Sequence, residues 1–127
     1  MGMDYRAIRR LPDPRRTVRA ELREVVADFP GKPHLFVRLK LTGWHFPERA
    51  PEPFMLVGRA VSQRVVIAPD GLSAAGYFTE RPPAARQVSF GYGQTIAWDF
   101  PTAVRPDRLR RLDRARLGEV LIPDRLR

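Results

Sequence analysis

Leu35, Val37, Leu39 and Leu41 alternate with Phe36, Arg38, Lys40 and Thr42, and this period of two constrains the fold more than any other feature of the chain. Successive side chains of an extended strand point to opposite faces, so the alternation predicts a strand with one buried face. The pattern returns at Leu72, Ala74, Gly76 and Phe78, at Val88, Phe90 and Tyr92, and at Ile96, Trp98 and Phe100. Turn formers stand between these runs: Pro47, Pro51 and Pro53, then Pro69-Asp70-Gly71, Pro82-Pro83, Gly91-Tyr92-Gly93-Gln94 and Pro101. Proline cannot donate to a central ladder and glycine accepts positive φ, so each cluster ends one strand and prepares the next. The apolar run from Phe54 to Val57 supplies another strand, and the valine-rich run from Arg59 to Ala68 reads as one more. Short strands with no helical pattern between them predict an all-β, antiparallel fold, and a β-sandwich is preferred to a barrel.

Two segments carry competing patterns. Val18, Leu22, Val25 and Phe29 have helical spacing after Asp13-Pro14, whereas Val18, Ala20 and Leu22 alternate as a strand; strand is preferred because a two-sheet sandwich needs a first strand there. Beyond Pro101, Leu109, Leu112 and Ala115 or Arg116 predict a short basic helix over Asp107 to Leu117, with Gly118 as its C-cap. The chain thus divides into a basic N-terminal arm (1–16), a β-sandwich domain (17–101) and a basic C-terminal extension (102–127). The strand registers place Leu35, Val37, Leu39, Leu41, Ile96, Trp98 and Phe100 in the core.

A length of 127 residues suits one domain, and 43% hydrophobic with 29% charged residues is a globular composition rather than a disordered one. The lack of cysteine excludes disulfides, thiolate nucleophiles and thiolate metal sites together. No apolar run approaches the roughly 20 residues of a membrane span, and residues 1–10 carry Asp4 and three arginines where a secretory signal needs apolar residues; a cytoplasmic location is expected.

The segment Leu41-Thr42-Gly43-Trp44-His45-Phe46, followed by Phe54-Met55-Leu56-Val57-Gly58, the valine run, Asp70-Gly71 and the Pro-Pro turn, resembles the immunoglobulin-like plexin and transcription-factor (TIG) domains. The resemblance covers residues 35–100 or so. It implies an immunoglobulin-like sandwich and a non-enzymatic role as a binding or spacer module.

Few residues point to chemistry. His34 and His45 are the only histidines, and a metal site would have to add Glu48 or Glu52 at no recognisable ligand spacing. There is no Gly-x-Ser-x-Gly elbow, and Gly91-Tyr92-Gly93 lacks the third glycine, following helix and lysine of a phosphate loop. No catalytic, cofactor-binding or metal-ligating residue is therefore assigned. The net charge of +9 instead directs attention to partners: of the 23 basic residues only Lys32 and Lys40 are lysines.

The candidate interaction residues are Arg9, Arg10, Arg15 and Arg16 at one end, and Arg108, Arg110, Arg111 and Arg114 with the apolar tail Val120, Leu121 and Ile122 at the other. Asp13, Glu21, Glu24, Asp107, Asp113 and Glu119 are interleaved with the arginines, so protein-facing or solvated roles rank ahead of nucleic-acid contacts. Trp44 and Tyr77 are candidates for an exposed aromatic surface that could take carbohydrate. The expected function is a protein-interaction or structural module, working with a protein partner or as a homo-oligomer. An RNA- or DNA-binding accessory protein comes second and a carbohydrate-binding sandwich third; membrane binding and catalysis rank below these.

Overall fold

The computed structural model describes residues 18–29, 31–47 and 51–111. The alternating segment at the centre of the sequence becomes β2 (Pro33–Thr42), which pairs in antiparallel fashion with β1 (Arg19–Asp28) from Arg19 opposite Thr42 to Asp28 opposite Pro33. The ambiguous segment before it is thus a strand. β3 (Pro53–Val57) resumes after the prolines, followed by β4 (Ala60–Val61), β5 (Arg64–Ile67), β6 (Ser73–Phe78), β7 (Val88–Tyr92) and β8 (Thr95–Phe100). They form two antiparallel four-stranded sheets, in the orders β1-β2-β6-β5 and β4-β3-β7-β8.

The valine-rich run expected as one strand is divided between the two sheets. Ser62 donates its backbone N–H to the Met55 carbonyl in one sheet, while the next residue, Gln63, donates to the Tyr77 carbonyl in the other. The Ser62 hydroxyl accepts the Met55 N–H in return at 3.0 Å, so a side chain completes the ladder where the chain departs. A composition rich in valine shows extended backbone but does not show to which sheet each half belongs.

The sheets meet across one hydrophobic cluster, an arrangement consistent with a β-sandwich. Leu22, Leu39, Leu41, Ala74 and Phe78 come from the first sheet; Met55, Val57, Val88, Phe90, Tyr92 and Phe100 come from the second. The layers approach closely at Gly76, where an added Cβ would lie 2.5 Å from the Met55 sulfur. Val104 is also in this cluster, Thr102 is buried, and Leu109 packs against it, so the folded unit continues beyond β8.

Three residues expected in the core are not buried there. Leu35 is 60% exposed because β2 runs past its neighbour: the last β6 pair is Val37 opposite Phe78, and Leu35 is flanked only by Val26 of β1. Ile96 is 43% exposed because β8 is bulged. Phe90 faces Trp98 while the next residue, Gly91, faces Ile96, leaving Ala97 as the extra residue. One inserted residue inverts the alternation, so Ile96 points away from the core while Trp98 and Phe100 point towards it. Trp98 itself is only half-buried, packed on the margin of the cluster.

A second, smaller cluster lies on the opposite face of the first sheet and contains Val25, Ala27, Phe36, Val66 and Tyr77, with Phe29 packed against it. In the region expected to be a C-terminal helix, the described residues hold one 3-10 turn, Pro106–Arg108, after which Arg110 is extended and bridged to Arg23. The remainder of that segment, from residue 112, lies outside the described residues.

Candidate functional site

Segment 102–111 brings several of the arginines together. Beyond β8, Val104 exchanges both backbone hydrogen bonds with Ala85, at 2.8 and 3.1 Å, which anchors the segment to the body of the protein. Pro106 then starts the single 3-10 turn, closed by Arg108 N–H donating to the Arg105 carbonyl at 2.9 Å. The chain next runs parallel to the edge of β1: Arg110 N–H donates to the Leu22 carbonyl at 3.3 Å, and the Glu24 N–H donates to the Arg110 carbonyl at 2.9 Å. Part of an otherwise open sheet edge is thereby covered.

Between this segment and β1 lies a cleft of about 490 Å³, lined by Arg19, Ala20, Glu21 and Leu22 on one side and by residues 102–105, Arg108 and Arg110 on the other. Its four arginines face a single carboxylate, Glu21. Glu21 stands 3.6 Å from the Arg110 guanidinium with both side chains well exposed, a geometry in which an ion pair contributes little. The tighter pair lies just outside: Arg111 donates to Glu24 at 2.5 Å, and the Glu24 side chain is only 17% exposed. Arg111 therefore holds the segment on β1, whereas Arg19, Arg105 and Arg108 present their charge to the cleft. Four guanidinium groups around one carboxylate make this cleft attractive to anions.

Comparisons with family models, with curated proteins and with solved structures found no match.

Of the residues expected to interact, Arg108 and Arg110 line the cleft and Arg111 braces it. Arg9, Arg10, Arg15, Arg16, Arg114, Val120, Leu121 and Ile122 lie outside the described residues. Arg19 and Arg105 join the site through the fold, since β1 and the segment after β8 are far apart in sequence. The expected aromatic surface does not form. Tyr77 is 5% exposed and packs edge-on against Phe29 and Phe36 behind the first sheet. Trp44 is half-buried in a different cluster, edge-on to Trp98 with ring centroids 4.5 Å apart. The two rings belong to separate apolar clusters, Tyr77 on β6 behind the first sheet and Trp44 after β2 against the cluster between the sheets, and they share no platform. No helix among the described residues is long and apolar enough to cross a membrane.

A second cavity was not expected from the sequence. It lies at the end of the first sheet, has a volume of about 420 Å³, and is lined by Phe29, His34, Leu35, Phe36, Gln63, Arg64 and Thr79. The Arg64 guanidinium carbon sits 4.6 Å from the centre of the Phe29 ring, within cation–π range. Residues from the β1–β2 turn, β2, the switch between sheets and the end of β6 meet here only through tertiary structure.

Proposed function

We propose that this chain is a non-enzymatic interaction module of immunoglobulin-like architecture, which docks the basic cleft beside β1 on an acidic surface of a partner protein. The excess of arginine over carboxylate in that cleft carries the reading. Guanidinium groups offer planar, paired donors that match carboxylates, and a fixed backbone segment reduces the ordering cost of presenting them. The net charge of +9 adds long-range attraction to an acidic partner and opposes self-association through the same face.

The strand order supports the architectural part. β1-β2-β6-β5 follows the A-B-E-D sheet of an immunoglobulin fold, and β4-β3-β7-β8 follows C′-C-F-G.

The test uses the Arg105→Glu/Arg108→Glu double variant and two probes, polyglutamate and a labelled DNA duplex, across a salt series. Polyglutamate is expected to bind saturably and to lose about tenfold or more in affinity with the double variant. The duplex is expected to be lost near physiological salt, since phosphate contacts weaken steeply as counterions compete. Equal polyglutamate binding by both proteins would overturn the assignment. Duplex binding that survives that salt and falls in the double variant would replace the acidic protein with nucleic acid as the partner.

A further inference from the structure

We infer that the outer face of the first sheet is the docking surface for this chain's own C-terminal tail, residues 112–122, which lie outside the described residues. The tail would start as a strand parallel to β1 with Leu112 beside Val25. An antiparallel sheet that faces water on one side carries polar residues there. The outer face of this sheet instead holds Val25, Ala27, Phe36, Val66 and Tyr77, and both Val25 and Ala27 are fully buried although β1 is the end strand. The Phe29 ring accounts for the middle of the face, meeting Phe36 and Tyr77 edge-on with centroids 5.8 and 5.0 Å away. The eight strands are all used in the two sheets, so among the described residues no strand is left to cover Val25 and Ala27.

The direction of segment 102–111 names the cover. Arg110 is bridged in parallel to Arg23, which places both side chains on the outer side of the sheet together with Val25. Its neighbours point the other way: Leu109 packs on the cluster between the sheets, and Arg111 pairs with Glu24. The alternation therefore brings Leu112 to the outer side, and an advance of two residues along both strands sets it beside Val25. The ladder can continue in the same series. Arg110 uses the Leu22 carbonyl and the Glu24 N–H; the next groups along that edge are the Glu24 carbonyl and the Val26 N–H, which suit the N–H and carbonyl of Leu112. Residues 1–17 are the competing cover, but they enter β1 at its far end, where Arg19 pairs with Thr42, about 20 Å from Val25. Residues 112–127 can extend to roughly 50 Å, ample for the roughly 15 Å from β1 to β5, and Val120-Leu121-Ile122 is the apolar stretch able to meet Tyr77 and Val66. None of this depends on what the basic cleft binds.

The test uses the full chain, labelled at its methyl groups, with NMR and hydrogen exchange as readouts. Nuclear Overhauser contacts are expected within one molecule between the methyls of Leu112 and Val25, and between those of Val120 or Ile122 and the Tyr77 ring. The Val26 amide is expected to exchange slowly. Leu112→Asp, which sets a carboxylate against Val25, is expected to speed that exchange about tenfold or more while the Phe90 amide of the second sheet stays protected. If Leu112→Asp also releases Phe90, the Leu112–Val25 contact in the parent chain decides: its presence supports the docking and its absence overturns it. Contacts to Val25 from Ile8 or Leu11 would give the face to the N-terminal residues instead, and contacts seen only between differently labelled molecules would give it to a second copy; either result overturns the assignment. So would Val26 exchange that is equally fast in parent and variant with Phe90 protected in both.

Discussion

Tyr92 shows how a single buried polar atom leaves a measurable trace. Its side chain is fully buried, and its hydroxyl has no hydrogen-bond partner. Burial disfavours the phenolate and raises the phenol above its ordinary value of 10.0. The folded state therefore holds the proton more tightly than the unfolded chain, so the associated stability is intact below about pH 10 and falls as pH rises beyond it. Tyr92→Phe is expected to remove that part of the alkaline decline, and at neutral pH to leave stability unchanged or raised by up to about 1 kcal/mol, because no partner is lost. Denaturant melts between neutral pH and pH 11 check both; an unchanged alkaline slope would contradict the assignment. Two glycines make a second residue-scale comparison. A Cβ at Gly76 meets the flexible end of Met55, whereas one at Gly91 collides with the Thr95 backbone carbonyl and lies 2.7 Å from the Phe54 ring. Gly76→Ala is expected to cost about 1 kcal/mol and Gly91→Ala about 3 kcal/mol, since only the first neighbour can move aside.

At the scale of elements, segment 102–111 acts as an additional edge element for the first sheet. It has no strand pattern: Arg110 lies in a run that suggests a basic helix, yet it makes two backbone bonds with β1. Pro106 at the start of a single 3-10 turn, the Ala85–Val104 bridge and the packing of Leu109 on the core decide against helix there. Arg110→Pro removes the N–H that reaches Leu22 and restricts the backbone that accepts from Glu24. The variant is expected to remain folded while the Glu24 amide exchanges with solvent about tenfold faster or more, and hydrogen exchange reads this directly. Exchange as slow as in the parent chain would mean that the segment does not depend on this bond. Polyglutamate binding should fall in the same variant, because Arg105 and Arg108 lose their fixed placement.

At the scale of the whole molecule, one cluster joins the two sheets, so a core lesion in either is felt by both. Leu39 is fully buried between the layers, and Leu39→Ala is expected to cost about 2–5 kcal/mol through lost burial and a residual cavity. Ile96→Thr, on the outward side of the bulge, is expected to cost less than about 1 kcal/mol. Thermal or urea unfolding compares them, and near-equal losses would show that Ile96 is buried after all.

The local sequence determined the extended character of the chain and the faces of several strands, because a period of two and proline or glycine breaks act on neighbouring residues. Val37, Leu39 and Leu41 are core residues for that reason. It also singled out Arg108 and Arg110, which line one cleft. Tertiary structure alone decided the rest. A bulge at Ala97 moved Ile96 outward, the termination of β6 left Leu35 uncovered, and the division at Ser62 and Gln63 sent one valine run to two sheets. The basic cleft and the aromatic cavity depend on contacts between segments remote in sequence. Periodicity describes which way a side chain faces relative to its neighbours; only strand register and packing determine what it meets there.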